Sequence, residues 1–143
     1  MDQCHFITIN IYQLSIYNEL AMTQLKKHDL EERTAKFGEE VILLCKKIKP
    51  SLINKPIISQ LIRSATSVGA NYMEANSASS RKDFANKIFI SKKEAQETKH
   101  WLRMLSKAEN NGEITKSLRS LWQECQELTM IFQKITSSLR SKL

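Results

Sequence analysis

Turn-forming residues are scarce in this chain, which has 3 glycines and 2 prolines among 143 residues. Sandwiches, barrels and doubly wound α/β folds need many turns, so this scarcity disfavours all three classes. Aromatic residues make up only 7% of the chain, and no apolar run approaches the roughly 18 residues that span a bilayer. With 41% apolar and 26% charged residues, the composition instead favours one all-helical core.

Disulfide and export signals are also missing. The three cysteines, Cys4, Cys45 and Cys125, are an odd number and lack the C-x-x-C spacing of zinc and redox motifs. No Lys or Arg precedes Lys26, whereas a secretory signal begins with positive charge. We therefore expect a cytoplasmic protein with free thiols and no membrane association.

Residues 1–21 differ in pattern from the rest of the chain. They contain β-branched and aromatic residues without a clean helical stripe, and a basic, helix-compatible stretch begins at Met22. We expect that translation starts naturally at Met22, or that residues 1–21 are a loosely attached extension. In domain terms, residues 1–28 are expected to be an N-terminal extension and residues 29–143 a helical bundle.

Four amphipathic helices are predicted within residues 29–143, because apolar side chains recur at spacings of three and four. Asp29 with Glu32, and Ser80 with Asp83, have the spacing of helix-start caps. Short connections between helices that each bury one stripe favour an all-α, up-down-up-down four-helix bundle. The predicted helices run from near residue 29 up to Pro50, over 56–76, from 80 to about 110, and from about 113 onward.

The third predicted helix separates its charges when it is projected at about 100° per residue. Beside its acidic flank lie three large apolar residues that the core stripe does not include, Ile90, Trp101 and Met104. Such a patch often marks an interface, and dissimilar flanks on one subunit favour head-to-tail association into a ring-like homo-oligomer. The acidic flank consists of Asp83, Glu94 and Glu97, and the basic flank consists of Lys82, Lys92, Lys93, Lys99, Arg103 and Lys107.

The basic flank is the candidate nucleic-acid surface. The formal net charge is +7, and clustered cations neutralise phosphates and release counterions without reading base sequence. Lys92, Lys99 and Arg103 recur on one side of the helix and are the candidate contacts for RNA or DNA. The alternative interpretation is a solvated helix face, because no aromatic residues interleave with these cations.

No catalytic constellation is predicted. Glu97 and His100 have the Glu-x-x-His spacing of carboxylate-bridged metal centres, but a second such pair is missing. Cys45 and Cys125 lie on or beside core stripes, where a thiol behaves as a small hydrophobe. No glycine-rich phosphate loop is present. The sequence therefore predicts a non-enzymatic protein with no metal and no cofactor.

Several stretches together resemble the "four helix bundle protein" family, which is encoded in 23S rRNA intervening sequences and is related to accessory proteins of diversity-generating retroelements. The similarity covers about residues 30–139 and leaves residues 1–21 outside it. The stretches are QLIRSATSVGAN at 60–71, EA at 74–75, DF at 83–84 and KEAQETKHWL at 93–102.

The resemblance implies a four-helix bundle assembled as a homopentamer, without enzymatic activity and with a role in nucleic-acid binding. Arg63, Asn71 and Glu74 match the family pattern, whereas Ile62 and Ala75 replace an Arg and a Gly that many members carry. On this basis Arg63 joins the candidate nucleic-acid contacts, and Asn71 and Glu74 join the candidate subunit interface. The alternative function is a structural or protein-interaction module, such as an accessory partner of a reverse transcriptase, without nucleic-acid binding of its own.

Overall fold

Four α-helices and no strand are present in the computed structural model, which describes the backbone of residues 11–141 and the side chains of residues 29–141. The predicted all-helical class is therefore confirmed for these residues. Residues 1–10, which carry part of the predicted extension, lie outside the described residues. The helices are α1 (Ile11–Lys46), α2 (Asn54–Asn76), α3 (Arg81–Ala108) and α4 (Gly112–Arg140).

Helix α1 begins earlier than its sequence pattern predicts. It starts at Ile11 and continues through Asp29 without a break, so the predicted start near Asp29 is wrong. No Gly or Pro lies between Ile11 and Leu30, and β-branched residues lower helix propensity by only about 0.5 kcal/mol each. Nothing in this stretch therefore ends a helix. The chain divides into two compact units, Met1–Leu30 and Glu31–Leu143, and the second unit is described below.

The starts of α3 and α4 are fixed by side-chain caps. Ser80 Oγ accepts a hydrogen bond of 3.1 Å from the backbone N–H of Asp83, which confirms the predicted cap. Asn111 Oδ1 accepts hydrogen bonds of 2.9 and 3.3 Å from the N–H groups of Glu113 and Ile114. Each cap satisfies donors that the first helical turn leaves without a partner.

Helix α2 starts at Asn54, two residues before the start that was predicted at Pro56. Ser51 and Asn54 exchange two hydrogen bonds, one of 3.1 Å from Asn54 N to Ser51 Oγ and one of 2.7 Å from Ser51 N to Asn54 Oδ1. This reciprocal pair orders the turn before the helix, as a capping box does. Pro56 then lies in the first turn, where its missing N–H costs nothing.

Consecutive helices of the second unit run antiparallel, and α4 packs back against α1. This arrangement confirms the predicted up-down-up-down four-helix bundle. Between α1 and α2, Thr34 lies beside Gly69 and Gly38 beside Thr66, and between α2 and α3, Val68 lies beside Ser91 and Ser64 beside Thr98. Between α3 and α4, Lys99 lies beside Gln126. Between α1 and α4, Arg33 lies beside Glu127 and Leu44 beside Leu121.

The core consists of the predicted apolar stripes, whose central members are fully buried. Burial of each such side chain contributes about 1.5–3 kcal/mol relative to an exposed one. Small polar residues share this core and form hydrogen bonds across it, such as the 3.0 Å bond from Thr98 Oγ1 to Ser64 Oγ. The largest fully buried apolar residues are Phe37, Val41, Leu61, Val68, Ile88, Leu102, Leu105, Leu118, Leu128 and Phe132.

Gly69 lies where α2 approaches the backbone of α1 closely. A Cβ atom there would lie 3.3 Å from the carbonyl carbon and oxygen of Thr34, whereas a Cβ at Gly38 would meet α2 no closer than 3.5 Å. We expect Gly38→Ala to raise the free energy of unfolding by about 0.5–1 kcal/mol, because alanine favours helix. The free energy of unfolding of the Gly69→Ala protein should be at least about 1 kcal/mol lower than that of the Gly38→Ala protein, because backbone atoms of α1 must move to accept the new Cβ. Urea denaturation followed by circular dichroism measures both, and equal gains would show that this approach is not tight.

Candidate nucleic-acid interface

The acidic flank of α3 faces α2, where Arg63 pairs with two of its carboxylates. Arg63 Nη1 lies 3.3 Å from Glu94 Oε2, and the same guanidinium also pairs with Glu97. The hydrogen bond from Arg63 holds the pKa of Glu97 below its usual value, and the hydrogen bond from Trp101 acts in the same direction. Two of the three carboxylates of the acidic flank, Glu94 and Glu97, thus share one cation of α2.

Arg63, a predicted nucleic-acid contact, therefore lies between two carboxylates. Its pairing with Glu97 raises its own pKa, so the guanidinium stays charged and bound in place. A phosphate group at Arg63 would have to displace these partners. The structure thus separates Arg63 from the other predicted contacts, which lie on the opposite flank of α3.

The predicted interface residues lie along α2 and the acidic flank of α3. Glu74 pairs with Lys87 of α3, and Asn71 Nδ2 donates a 2.8 Å hydrogen bond to the backbone oxygen of Ser67. The α3 residues that complete this set are Ile90, which is 38% exposed, and the half-buried Trp101 and Met104. Their role as a subunit contact stays a prediction.

Trp101 is held in place by its own helix. Its indole Nε1 donates a 3.0 Å hydrogen bond to Glu97 Oε1, and the His100 ring packs edge-on against it with ring centres 5.0 Å apart. The side chains of the Glu97–His100 pair therefore both contact Trp101. Within the described residues, no group of three or more His, Cys, Asp or Glu side chains is arranged to hold a metal ion.

The basic flank of α3 faces α4. Lys99 Nζ donates a 2.6 Å hydrogen bond to Gln126 Oε1 and lies over the Trp122 ring, 5.6 Å from its centre. Arg103 lies one turn further along α3 and lines a cleft of about 350 Å³ together with Arg119 and Trp122 of α4. Cations from two helices thus gather around an aromatic ring that is 38% exposed.

A second cation–aromatic pair lies further along the same two helices. The guanidinium of Arg140 on α4 lies 5.2 Å from the centre of the Phe89 ring on α3. Lys92 lies one turn after Phe89 on the side of α3 that also carries Lys99. We call these five cations the basic face: Lys92, Lys99 and Arg103 of α3 and Arg119 and Arg140 of α4.

No described carboxylate forms an ion pair with any cation of the basic face. The acidic residues of α4 point the other way, because Arg33 of α1 binds Glu124 through a 2.6 Å contact and also pairs with Glu127. These carboxylates raise the pKa of Arg33 above its ordinary value. The bundle therefore turns acidic residues of α3 and α4 toward α2 and α1, and leaves an uncompensated positive face between α3 and α4.

The α4 half of this face was not predicted from the sequence. Projecting α4 at about 100° per residue would have placed Arg119, Trp122 and Arg140 on one flank and Glu124 and Glu127 on the other. The expectation that no aromatic residue lies among these cations is wrong, because Phe89 of α3 and Trp122 of α4 both contact cations of the basic face. Trp122 was not singled out in the sequence, where it follows the core residue Leu121 and lies outside the apolar stripe of α4.

The two cysteines of the described region are buried thiols. Burial raises the pKa of Cys45 to about 11 and that of Cys125 to about 12, so both remain protonated near neutral pH. Cys125 Sγ donates a 3.1 Å hydrogen bond to the backbone oxygen of Ala95. A protonated thiol in the core is a poor nucleophile and metal ligand, so both side chains contribute to packing.

Across the described part of the chain, no helix combines the length and apolar character needed to cross a membrane. The profile of the 23S rRNA-intervening sequence protein family matches residues 26–134. No functionally curated protein matches the chain.

A crystal structure shows the same fold. It is of a protein of unknown function from the S23 ribosomal protein family of Bacteroides thetaiotaomicron VPI-5482, determined at 1.70 Å resolution. Its sequence is 32% identical over 75% of this chain and 97% of that chain, with a TM-score of 0.62. The family match covers all but a short part of α4 within the bundle, and the chain accordingly belongs to the 23S rRNA-intervening sequence protein family.

Proposed function

We propose that this protein is a non-enzymatic, cytoplasmic nucleic-acid-binding bundle that holds RNA or DNA on the basic face of α3 and α4. The observation that carries the proposal is the set of five cations that have no described carboxylate partner and that flank two aromatic rings. Cations of this kind neutralise phosphates and release the counterions condensed on them.

Segregation of charge supports this surface over the α2–α3 side. Binding of phosphates at Arg63 would break its contacts to Glu94 and Glu97, whereas Arg103 and Arg119 have no described ion pair to lose. The remaining carboxylates of α3 and α4 that form ion pairs lie toward α2 and α1. A polyanion on the basic face therefore meets attraction without strong local repulsion.

The names of the related proteins refer to ribosomal RNA and to the ribosome. The matched family is named for an intervening sequence of 23S rRNA, and the related crystal structure is of a protein assigned to the S23 ribosomal protein family. These names concern those proteins, and for this chain they support RNA as the first ligand to test.

A fluorescence-anisotropy titration at low salt tests the proposal. Labelled single-stranded and duplex RNA and DNA are each titrated with the wild-type protein, and binding to at least one of them is expected. Wild-type protein that ignores all four probes would overturn the proposal and leave the protein-interaction module as the better interpretation.

We also propose that the protein is a ring-like homo-oligomer, a homopentamer by family resemblance. The α2–α3 side carries Ile90, Trp101 and Met104 at its surface, and a concave patch lies elsewhere on the subunit. This patch is a cleft of about 350 Å³ between α1 and α2, lined by apolar residues such as Ile42 and Met73 together with Glu31, Glu32 and Glu39. Dissimilar patches on one subunit are what a head-to-tail ring requires. The proposed interface consists of Asn71, Glu74, Ile90, Trp101 and Met104.

Trp101→Glu is expected to dissociate the oligomer while leaving most of the helicity intact. The new carboxylate would lie beside Glu94 and Glu97 and would be buried without a partner at the subunit contact. Met130→Glu is the matched control, because Met130 lies on α4 and is 54% exposed. Size-exclusion chromatography with light scattering measures the mass. A wild-type monomer at micromolar concentration, or an intact Trp101→Glu oligomer, would rule out this interface.

A further inference from the structure

We propose that the cleft between α3 and α4 seats one unpaired base of a single-stranded nucleic acid against Trp122, with Arg103 and Arg119 holding the adjacent phosphates. This inference rests on the proposed function and deepens it, because it assigns the preferred ligand of the same face. It predicts a preference for single strands over duplexes.

The cleft has the lining that a base requires. Its lining includes Leu102 and Leu118, each only 1% exposed, and Trp122 also lines it. Arg103 and Arg119 line it as well and bring positive charge from two different helices. A nucleic-acid base is a flat ring with a phosphate on either side along the chain, so it fits an apolar cleft that is flanked by two arginines. Stacking of bases on aromatic side chains is common in proteins that bind single strands.

Trp122 is held in position before any ligand binds. Lys99 lies over its ring at 5.6 Å from the centre, and the 2.6 Å hydrogen bond to Gln126 fixes that lysine. A cation over the indole restrains the ring and reduces the ordering that a stacked base would otherwise have to impose. Lys99 is therefore a positioning residue for Trp122.

The expected preference for single strands is the opposite of the preference that charge alone would give. A duplex carries more condensed charge than a single strand, with salt slopes of about −0.9 and −0.7 per neutralised phosphate, so a purely electrostatic face favours the duplex. In a duplex the faces of the bases are covered by their neighbours, and only an unpaired base offers a free face to Trp122. Tighter binding of the single strand therefore reports stacking.

The experiment compares a labelled single-stranded RNA with a duplex of the same length, using wild type, Trp122→Leu and Trp122→Phe. Trp122→Leu should weaken single-strand binding about tenfold, as expected for the loss of one stacked base, and should change duplex binding less than twofold. Trp122→Phe keeps a ring and should retain most of the affinity. Circular dichroism and thermal melting verify that each variant folds.

Fluorescence gives an independent readout in the folded protein. The chain has 2 tryptophans, so emission that is present in wild type and lost in Trp122→Leu belongs to Trp122. Single-stranded RNA should quench that emission, and the duplex should not. Unchanged single-strand affinity in Trp122→Leu, or equal losses for both ligands, would overturn the base-seating cleft while nucleic-acid binding stands. Absence of binding by wild type to single-stranded and duplex RNA and DNA alike would instead overturn the proposed function, and the cleft with it.

Discussion

Reversing the charge at Lys92, Arg103 and Arg119 together is expected to weaken nucleic-acid binding at least 100-fold at low salt. Each substitution by Glu removes an attraction and adds a repulsion, and a pair of unit charges 4 Å apart in water interacts by about 1 kcal/mol. Three such reversals exceed the roughly 2.7 kcal/mol that a 100-fold change represents. None of the three cations forms an ion pair with a described residue, so the fold should be retained.

A charge-matched control separates the basic face from the overall charge of the protein. Lys46, Lys49 and Lys55 are exposed and lie in or beside the connection between α1 and α2, so none of them belongs to α3 or α4. Their joint replacement by Glu changes the net charge by the same amount and should alter the affinity far less than the basic-face variant does, because these lysines contact no proposed phosphate site and, at 0.1 M salt, charges more than about 10 Å apart are largely screened. Equal losses in the two triple variants would mean that binding reflects only the net charge of +7.

Phe132→Ala is expected to lower the free energy of unfolding by about 3–5 kcal/mol. Phe132 is completely buried on α4, and its ring centre lies 6.0 Å from that of Tyr72 on α2, at an angle of 52°. The substitution removes apolar burial, leaves a cavity and breaks a ring contact between two helices. Because native domains are stable by only about 5–15 kcal/mol, this loss would be severe.

Urea denaturation followed by circular dichroism measures the effect. Met130→Ala serves as the control, because Met130 lies two residues away on the same helix and is 54% exposed. It should change stability by less than about 0.5 kcal/mol. A loss below about 1 kcal/mol for Phe132→Ala would contradict the burial of its ring in the core against Tyr72.

Features that depend on one helix at a time could be predicted from the sequence. The Ser80 cap needs only a side chain three residues before a free N–H group, and the structure contains it. The core stripes of α2, α3 and α4 follow from periodicity, because a helix places residues three and four apart on one face. The two flanks of α3 follow from the same geometry.

Features that join two helices could not be predicted in this way. The pairing of Arg63 with Glu94 and Glu97 depends on how α2 is rotated against α3, and periodicity does not give that rotation. The approach of Trp122 to Lys99 depends likewise on the setting of α4. Consequently each candidate residue was found on its own helix, while the cleft between helices was missed.

The start of α1 escaped prediction for another reason. The Asp29 and Glu32 spacing fits a helix start, yet both residues are also tolerated inside a helix. A cap signature therefore shows where a helix is able to begin, and only a preceding Gly or Pro would have required it to begin there. Residues 11–28 contain neither.

Binding through the basic face is tested most directly by the slope of log affinity against log salt concentration for single-stranded RNA. At about −0.7 per neutralised phosphate, Lys92, Arg103 and Arg119 of one subunit together contribute about −2 to the slope, and the slope is steeper if an oligomer presents several basic faces. The variant with Glu at Lys92, Arg103 and Arg119 should lose most of that slope, while the control with Glu at Lys46, Lys49 and Lys55 should keep it. A flat wild-type dependence, or the full wild-type slope in the basic-face variant, would contradict phosphate binding between α3 and α4.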